Sequence, residues 1–331
     1  MDGNALNTSL NSFISTNFSP KPNDRTYISG KYEAVKTVIG NNVFQSGSYG
    51  RFTAIYPVHD LDIIFICDDP LLQNEPLRFM RELQQKLNAA NIPGVKSIEV
   101  QTHSVTIAFS DTDSPFGIDI VPARELNQLN EFNEPLYLVP EILMVNHEKR
   151  QLRYLEAASK PIDWVKSDPR GYIRAASQLN DSNSNFRHAV KLVKAWRHAA
   201  KRVHKDAFKL KSFHVELIVT DYFLMHPTAT TAEAIVESIG EIGTSLTVPS
   251  IPDRADRLSF IDEYVANLTV VERQLIYGLQ AKAHVAAGEV LAAESTAELQ
   301  DSITKLTDVK ADRVVVPVAS AAAQPQQPWA N

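Results

Sequence analysis

Asp60-Leu61-Asp62 opens directly onto Ile63-Ile64-Phe65-Ile66-Cys67, and this run constrains the fold more than any other stretch of the chain. Four consecutive apolar side chains cannot share one side of a strand, so the run predicts a strand covered on both faces. The acids at i and i+2 then project together. Asp62 stands at the edge of what reads as core, where an unpaired carboxylate is costly. Two carboxylates side by side repel unless a cation lies between them, and hard oxygen donors favour Mg2+ or Mn2+. Two solvated acids at a strand edge are the plain alternative.

Asp119 lies between Ile118 and Ile120 in a second strand-like run that ends at Val121-Pro122. Alternation turns it away from the isoleucines. Alone it reads as a solvent-facing acid. Together with Asp60 and Asp62 it completes a three-carboxylate set able to hold two metal ions for phosphoryl or nucleotidyl displacement. Upstream, Gly47-Ser48-Tyr49-Gly50-Arg51 places two of the chain's 12 glycines in one turn, which suits close approach of backbone N–H groups to a phosphate. An ordinary tight turn gives the same short pattern. Tyr49, Arg51 and Tyr56 either stack on a base or pack the turn.

Nine Lys or Arg residues fall between Arg187 and Lys211, with Asp206 the single acid. The segment is amphipathic: Ala189, Leu192, Val193, Trp196, Ala199 and Ala200 share a face, and the basic residues share another. It reads either as a solvated helix face or as a strip that aims Lys191 and Lys194 at a polyphosphate. Lys194, flanked by core-facing residues, would reach the cleft from beside it. The chain as a whole has net charge −6, which argues against coating duplex nucleic acid. The lone Cys67 excludes an internal disulfide and fits a reducing cytoplasm. No apolar run reaches the ~18 residues of a membrane span, and the start lacks the pattern of a signal peptide. The nine histidines show no metal-binding spacing.

Along the chain, helical spacing at Leu6, Leu10 and Phe13 and at Leu77, Met80, Leu83 and Leu87 alternates with strand runs at 60–67, 104–109 and 118–121. Asp111 to Gly117 reads as a hairpin loop. Beyond about residue 150 helices take over, at 186–203, 230–242, 259–287 and 290–306, with Ser212 as a helix cap. The uncharged Val314–Asn331 stretch reads as a disordered tail. The expected organisation is a core lobe over 1–150 whose first helix bridges to the second lobe, a helical lobe over 151–313, and the tail. The class is α+β.

Read together, these motifs resemble the polymerase-β-type nucleotidyltransferases. The segments GSYGRFTAIYPVHDLDIIF, FGIDIVPA, DWVKSDPRGYI, FRHAVKLVKAWR and KSFHVELIV resemble one branch, the bacterial CD-NTases, relatives of cyclic GMP–AMP synthase and oligoadenylate synthase. The resemblance implies a mixed sheet facing a C-terminal helical lobe, with nucleotides between them. Asp60 and Asp62 would hold two Mg2+ or Mn2+ ions, and Asp119 the one that activates the acceptor hydroxyl. Gly47 and Ser48 would grip the triphosphate, closed over by Lys194 and Ser212, with Gln45, Lys191 and Asp253 as further nucleotide contacts. The implied activity converts NTPs, ATP among them, into a cyclic di- or trinucleotide for anti-phage defence (CBASS) and releases pyrophosphate. The implied setting is a monomer in the bacterial cytoplasm, with a HORMA-type activator or a conjugation enzyme acting on the tail. Modification of another small molecule or protein, or nucleotide sensing without catalysis, are the rival readings. Two departures stand out: His59 where a small polar residue is expected, and no asparagine after Asp253.

Overall fold

The computed structural model describes residues 1–110, 115–142 and 162–308. Its centre is a parallel pair, β2 (Asp60–Ile66) and β5 (Phe116–Leu129). Around it, β1 (Val43–Gln45), β4 (Val105–Phe109), β3 (Val95–Val100), β6 (Pro135–Ile142) and β7 (Ile162–Ser167) pair antiparallel. The order is β1-β2-β5-β4-β3, with β6 on the far half of β5 and β7 on β6. The expected α+β class with a mixed sheet and a C-terminal helical lobe is what forms.

β2 is covered on both faces. Leu61, Ile63 and Phe65 join one apolar cluster, closed by α2 (Pro22–Ile39) through Ile28, Val35 and Ile39 and by α5 (Pro76–Ala89) through Phe79, Met80, Leu83 and Leu87. Ile64 and Ile66 face a smaller cluster with Val121, Ala123, Tyr137 and Val139. Asp60 and Asp62 share the parity of Ile64, so they lie on this second face. α3 (Gly47–Gly50) links β1 to the loop before β2, and α4 (Pro70–Asn74) leads into α5.

The helical lobe contains α6 (Pro169–Ser182), α7 (Asn185–His204), α8 (Ser212–Met225), α9 (Thr231–Ser245), α10 (Val270–Ala292) and α11 (Thr296–Thr307). Its core includes Leu192, Val193 and Trp196 of α7, the apolar stripe read from the sequence. α8 is apolar nearly all round and central, with seven buried residues. Thr230–Glu233 and Thr269–Glu272 capping boxes start α9 and α10. Ser212 is the first residue of α8, one position inside the expected cap.

Two features differ from the sequence reading. α1 (Gly3–Asn17) does not itself bridge the lobes: Leu6, Leu10 and Ile14 sit in the helical core, while α2 serves the sheet. Pro20 and Pro22 interrupt the helix between them, since a proline lacks an N–H and disfavours helix at the residue before it. The sheet also outlasts residue 150, because β7 belongs to it. Most of the 111–117 loop and the segment after Val314 lie outside the described residues.

A buried histidine makes the helical lobe acid-sensitive. His214 of α8 is 1% exposed; its Nδ1 meets the Tyr264 hydroxyl at 2.8 Å, and its Nε2 has no hydrogen-bond partner among the described residues. Burial pushes its pKa down to about 4. The unfolded chain therefore binds the proton first, so the stability is full above the unfolded value of 6.5 and is lost as pH falls towards 4. The loss is at most about 3 kcal/mol. His214→Phe is expected to flatten this part of a Tm-against-pH curve, and an unchanged slope would contradict the assignment.

Candidate active site

A cleft of about 730 Å³ opens between the lobes over the second face of the sheet. Ile64, Val121 and Val139 form its apolar floor, and Gly47, Ser48, Asp60 and Asp62 line it from the sheet side. Lys194, Arg197 and His198 of α7, Ser212, Phe213 and Glu216 of α8, and Asp253 line it from the helical side.

The Gly47 turn and Asp62 are built as one unit. Ser46 N donates to Asp62 O at 2.8 Å, and Gly47 has φ +58. A Cβ on Gly47 would stand 1.7 Å from Asp62 Oδ2. The second glycine is required for a different reason: a Cβ at Gly50 would lie 2.7 Å from the backbone oxygen of Gln45. The paired glycines thus have separate steric causes, one towards the acid and one towards the strand.

Asp62 is the register partner of Asp119 across the parallel β2–β5 pair, and Asp60 is two residues along on the same face. Burial, then Asp60, then Asp119 push the Asp62 pKa up to about 6, against the pull of Arg51 and Lys194. Asp119 is raised mainly by burial, although it accepts a hydrogen bond from the Thr106 hydroxyl. The three acids are brought together without being closed into a cage. Among the described residues no group of three His, Cys, Asp or Glu side chains is gathered closely enough to hold a metal ion. Asp62 is folded down on Gly47 and Asp119 is drawn aside to Thr106, outside the cleft wall. The donor set still fits a hard divalent cation, because all its ligands are carboxylate oxygens and their repulsion is what such a cation would relieve.

The basic strip disperses. Lys194 is not beside the cleft but in its wall on the helical side: 5% exposed, it donates to Glu216 Oε2 at 3.2 Å and to Thr53 O at 3.0 Å. Lys191 lies outside the cleft wall and donates to Ser19 Oγ at 2.9 Å. Burial, and then Arg25 and Arg187, lower its pKa to about 8. Arg197 lines the cleft and donates to Leu210 O. Gln45 ends β1 opposite Ile63, also outside the wall. Asp253 lines the cleft and accepts from the Tyr172 hydroxyl at 3.2 Å.

Three features of the site escaped the sequence reading. Glu216 is buried and accepts from Arg51, Thr53 and Lys194. Phe213 offers an aromatic wall, with Tyr172 edge-on at 5.1 Å and the Arg51 guanidinium 4.5 Å over its ring. His59 stacks on His198 at 5.7 Å and 15°, one imidazole from each lobe. Only His59 carried a signal, as a departure from the pattern. Tyr49 packs on the sheet core and Tyr56 lies under Lys21, so both serve the turn region.

Comparison with solved structures adds the decisive likeness. E. coli MS115-1 CdnC in its HORMA-deltaN complex matches with a TM-score of 0.64 and 15% identity, covering 91% of this chain and 96% of that one. The Elizabethkingia meningoseptica CdnE cyclic dinucleotide synthase matches at 0.52 and 14%, over 85% and 97%. The Vibrio cholerae DncV cyclic AMP-GMP synthase, with its linear intermediate bound, matches at 0.53 and 16%, over 82% and 69%. The chain has the CD-NTase fold. No protein-family model and no curated protein sequence matches it. Among the described residues, no helix is long and apolar enough to cross a membrane.

Proposed function

We propose that the protein is a divalent-metal-dependent nucleotidyltransferase that joins NTPs into a cyclic di- or trinucleotide. The observation that carries the reading is Asp60 and Asp62 beside the Gly47–Ser48 turn on the sheet side of the cleft, with Asp119 in register with Asp62 on the neighbouring strand just behind the wall. An acceptor hydroxyl oxygen attacks the α-phosphorus of a bound NTP, the bond to the bridging oxygen of the β-phosphate breaks, and pyrophosphate leaves. The hydroxyl proton passes to solvent. The last transfer of the same kind, within the linear di- or trinucleotide, closes the ring.

Asp60 and Asp62 would hold two Mg2+ or Mn2+ ions and Asp119 would share one of them; such ions lower the pKa of the hydroxyl and neutralise developing phosphate charge. The chain's own groups bind and orient. The Ser48 hydroxyl and the backbone of its turn face the triphosphate, and Ser212 and Lys194 face it from the helical lobe. Phe213 and Tyr172 provide surface on which a base stacks, and the apolar floor of Ile64, Val121 and Val139 excludes water. Gln45 and Lys191 lie outside the wall and are not assigned to the nucleotide.

The CdnC–HORMA complex motivates a HORMA-type regulator, and signalling in anti-phage defence is what the sequence resemblance implies. Pull-down of such a regulator with the full chain tests the partner. At the site itself, Lys194→Ala is expected to raise the apparent KM for ATP about tenfold or more, the scale of one charge-assisted hydrogen bond. It also costs stability, because Lys194 is a buried ion-pair partner and not a surface residue. An unchanged KM with a lowered Tm would remove Lys194 from the nucleotide contacts.

A further inference from the structure

Beneath the proposed phosphate site, three chain segments converge on one carboxylate. Glu216, 2% exposed, accepts from Arg51 through Nε at 2.6 Å and Nη2 at 3.2 Å. It also accepts from Thr53 Oγ1 at 2.9 Å and Lys194 Nζ at 3.2 Å. Arg51 follows the Gly47–Gly50 turn, Lys194 belongs to α7, and Glu216 lies one helical turn after Ser212 in α8. Every segment that would touch the triphosphate is therefore tied to this group. The charges within the cluster are unequal: two buried cations meet one carboxylate, one positive charge more than Glu216 neutralises, and that charge lies beside the cleft acids Asp60 and Asp62.

We infer that Glu216 is a positioning residue that keeps Lys194 charged, and holds Arg51 and its turn in register with α8, so that the surplus positive charge is presented to a polyphosphate. The inference rests on the proposed function for the identity of the ligand. An ammonium as deeply buried as that of Lys194 loses its proton readily unless an anion stands beside it. Glu216 is the only carboxylate within ion-pair distance of Lys194 among the described residues. Burial lowers the Lys194 pKa and Glu216 opposes that fall. Arg51 and Lys194 together hold the Glu216 carboxyl down at about 2 although burial alone would raise it. The group is thus ionised throughout the working pH range. Thr53 adds a neutral donor to Oε1, the oxygen that also accepts from Arg51 Nε, without changing the charge balance.

The test measures affinity for inorganic tripolyphosphate by calorimetry on full-length protein, alongside KM and kcat for ATP. Glu216→Gln is expected to weaken tripolyphosphate binding at least tenfold, about the loss of one charge-assisted hydrogen bond, and to raise KM more than it lowers kcat. Glu216→Asp keeps the charge and should bind within about threefold of wild type, at a lower Tm, as a modest geometric loss implies. A merely structural role gives the opposite pattern: per folded molecule, affinity and KM unchanged. That result in folded E216Q would overturn the inference. If E216Q does not fold, a tenfold loss of affinity in folded E216D overturns it instead. The binding arm is independent of turnover, so absence of product from NTPs contradicts the proposed function and the affinity comparison alone decides the role of Glu216.

Discussion

Asp62→Asn is expected to abolish nucleotide joining while leaving the fold at least as stable as wild type. The acid stands in a pocket of like charge, where burial and its neighbours Asp60 and Asp119 bring its pKa up to about 6. A folded-state pKa above the unfolded 3.8 means that this group favours folding at acid pH, and that the benefit is lost as pH rises from about 4 through 6. At neutral pH the ionised carboxylate is therefore a local strain, and asparagine removes it. Activity should move the other way. Loss of a ligand to the metals withdraws several kcal/mol of transition-state stabilisation, a fall on the order of a thousandfold. Thermal unfolding with and without Mg2+ reads both halves: the variant should begin at an equal or higher Tm and gain less from the ion. A Tm lowered along with activity would show that Asp62 is a structural acid.

Gly47→Ala is the second large effect, and Gly50→Ala is its control. At Gly47 the new methyl group would meet a side-chain oxygen, Asp62 Oδ2, at 1.7 Å. That carboxylate can rotate away, so folding is expected to suffer by only about 1–2 kcal/mol, chiefly from the left-handed backbone. The rotation displaces the acid from the cleft, and a displacement near 1 Å at a reacting centre costs about a hundredfold in rate. At Gly50 the obstacle is the Gln45 backbone oxygen at 2.7 Å, which has no such freedom. Gly50→Ala should therefore act mainly on Tm. Steady-state kinetics and melting curves on the two variants separate the effects. Equal losses of Tm with equal residual activity would contradict the coupling of the turn to Asp62.

The acid-bearing strand was legible because its pattern is unusual. Two acids ahead of four apolar residues leave little choice but a doubly covered strand, and Asp60–Ile66 is one. The stripe of α7 was legible for the same kind of reason, since Leu192, Val193 and Trp196 recur on one face. Strands that broke the usual signals were not. β6 carries Pro135 and Pro140, which read as interruptions, and β3 mixes exposed Lys96 and Glu99 into its run. At the site, residue type was easier to read than side-chain destination. Lys191 and Lys194 are one helical turn apart, yet one is tied to Ser19 and the other to Glu216. Charge spacing cannot express that difference, because it depends on which partner the opposite lobe presents. Glu216 was hidden for a related reason: a single acid in the apolar VELIV segment has no local partner, and its three donors arrive from Arg51, Thr53 and Lys194, between 22 and 165 positions away.

Nucleotide joining by three sheet carboxylates and a glycine turn is the activity proposed for this cleft. Its most direct test is incubation of purified protein with each labelled NTP, singly and mixed, in Mg2+ or Mn2+, followed by phosphatase and mass analysis. Pyrophosphate and a phosphatase-resistant cyclic di- or trinucleotide are expected, both absent for Asp60→Ala/Asp62→Ala. No product from any NTP mixture, or undiminished product from the double variant, would contradict it.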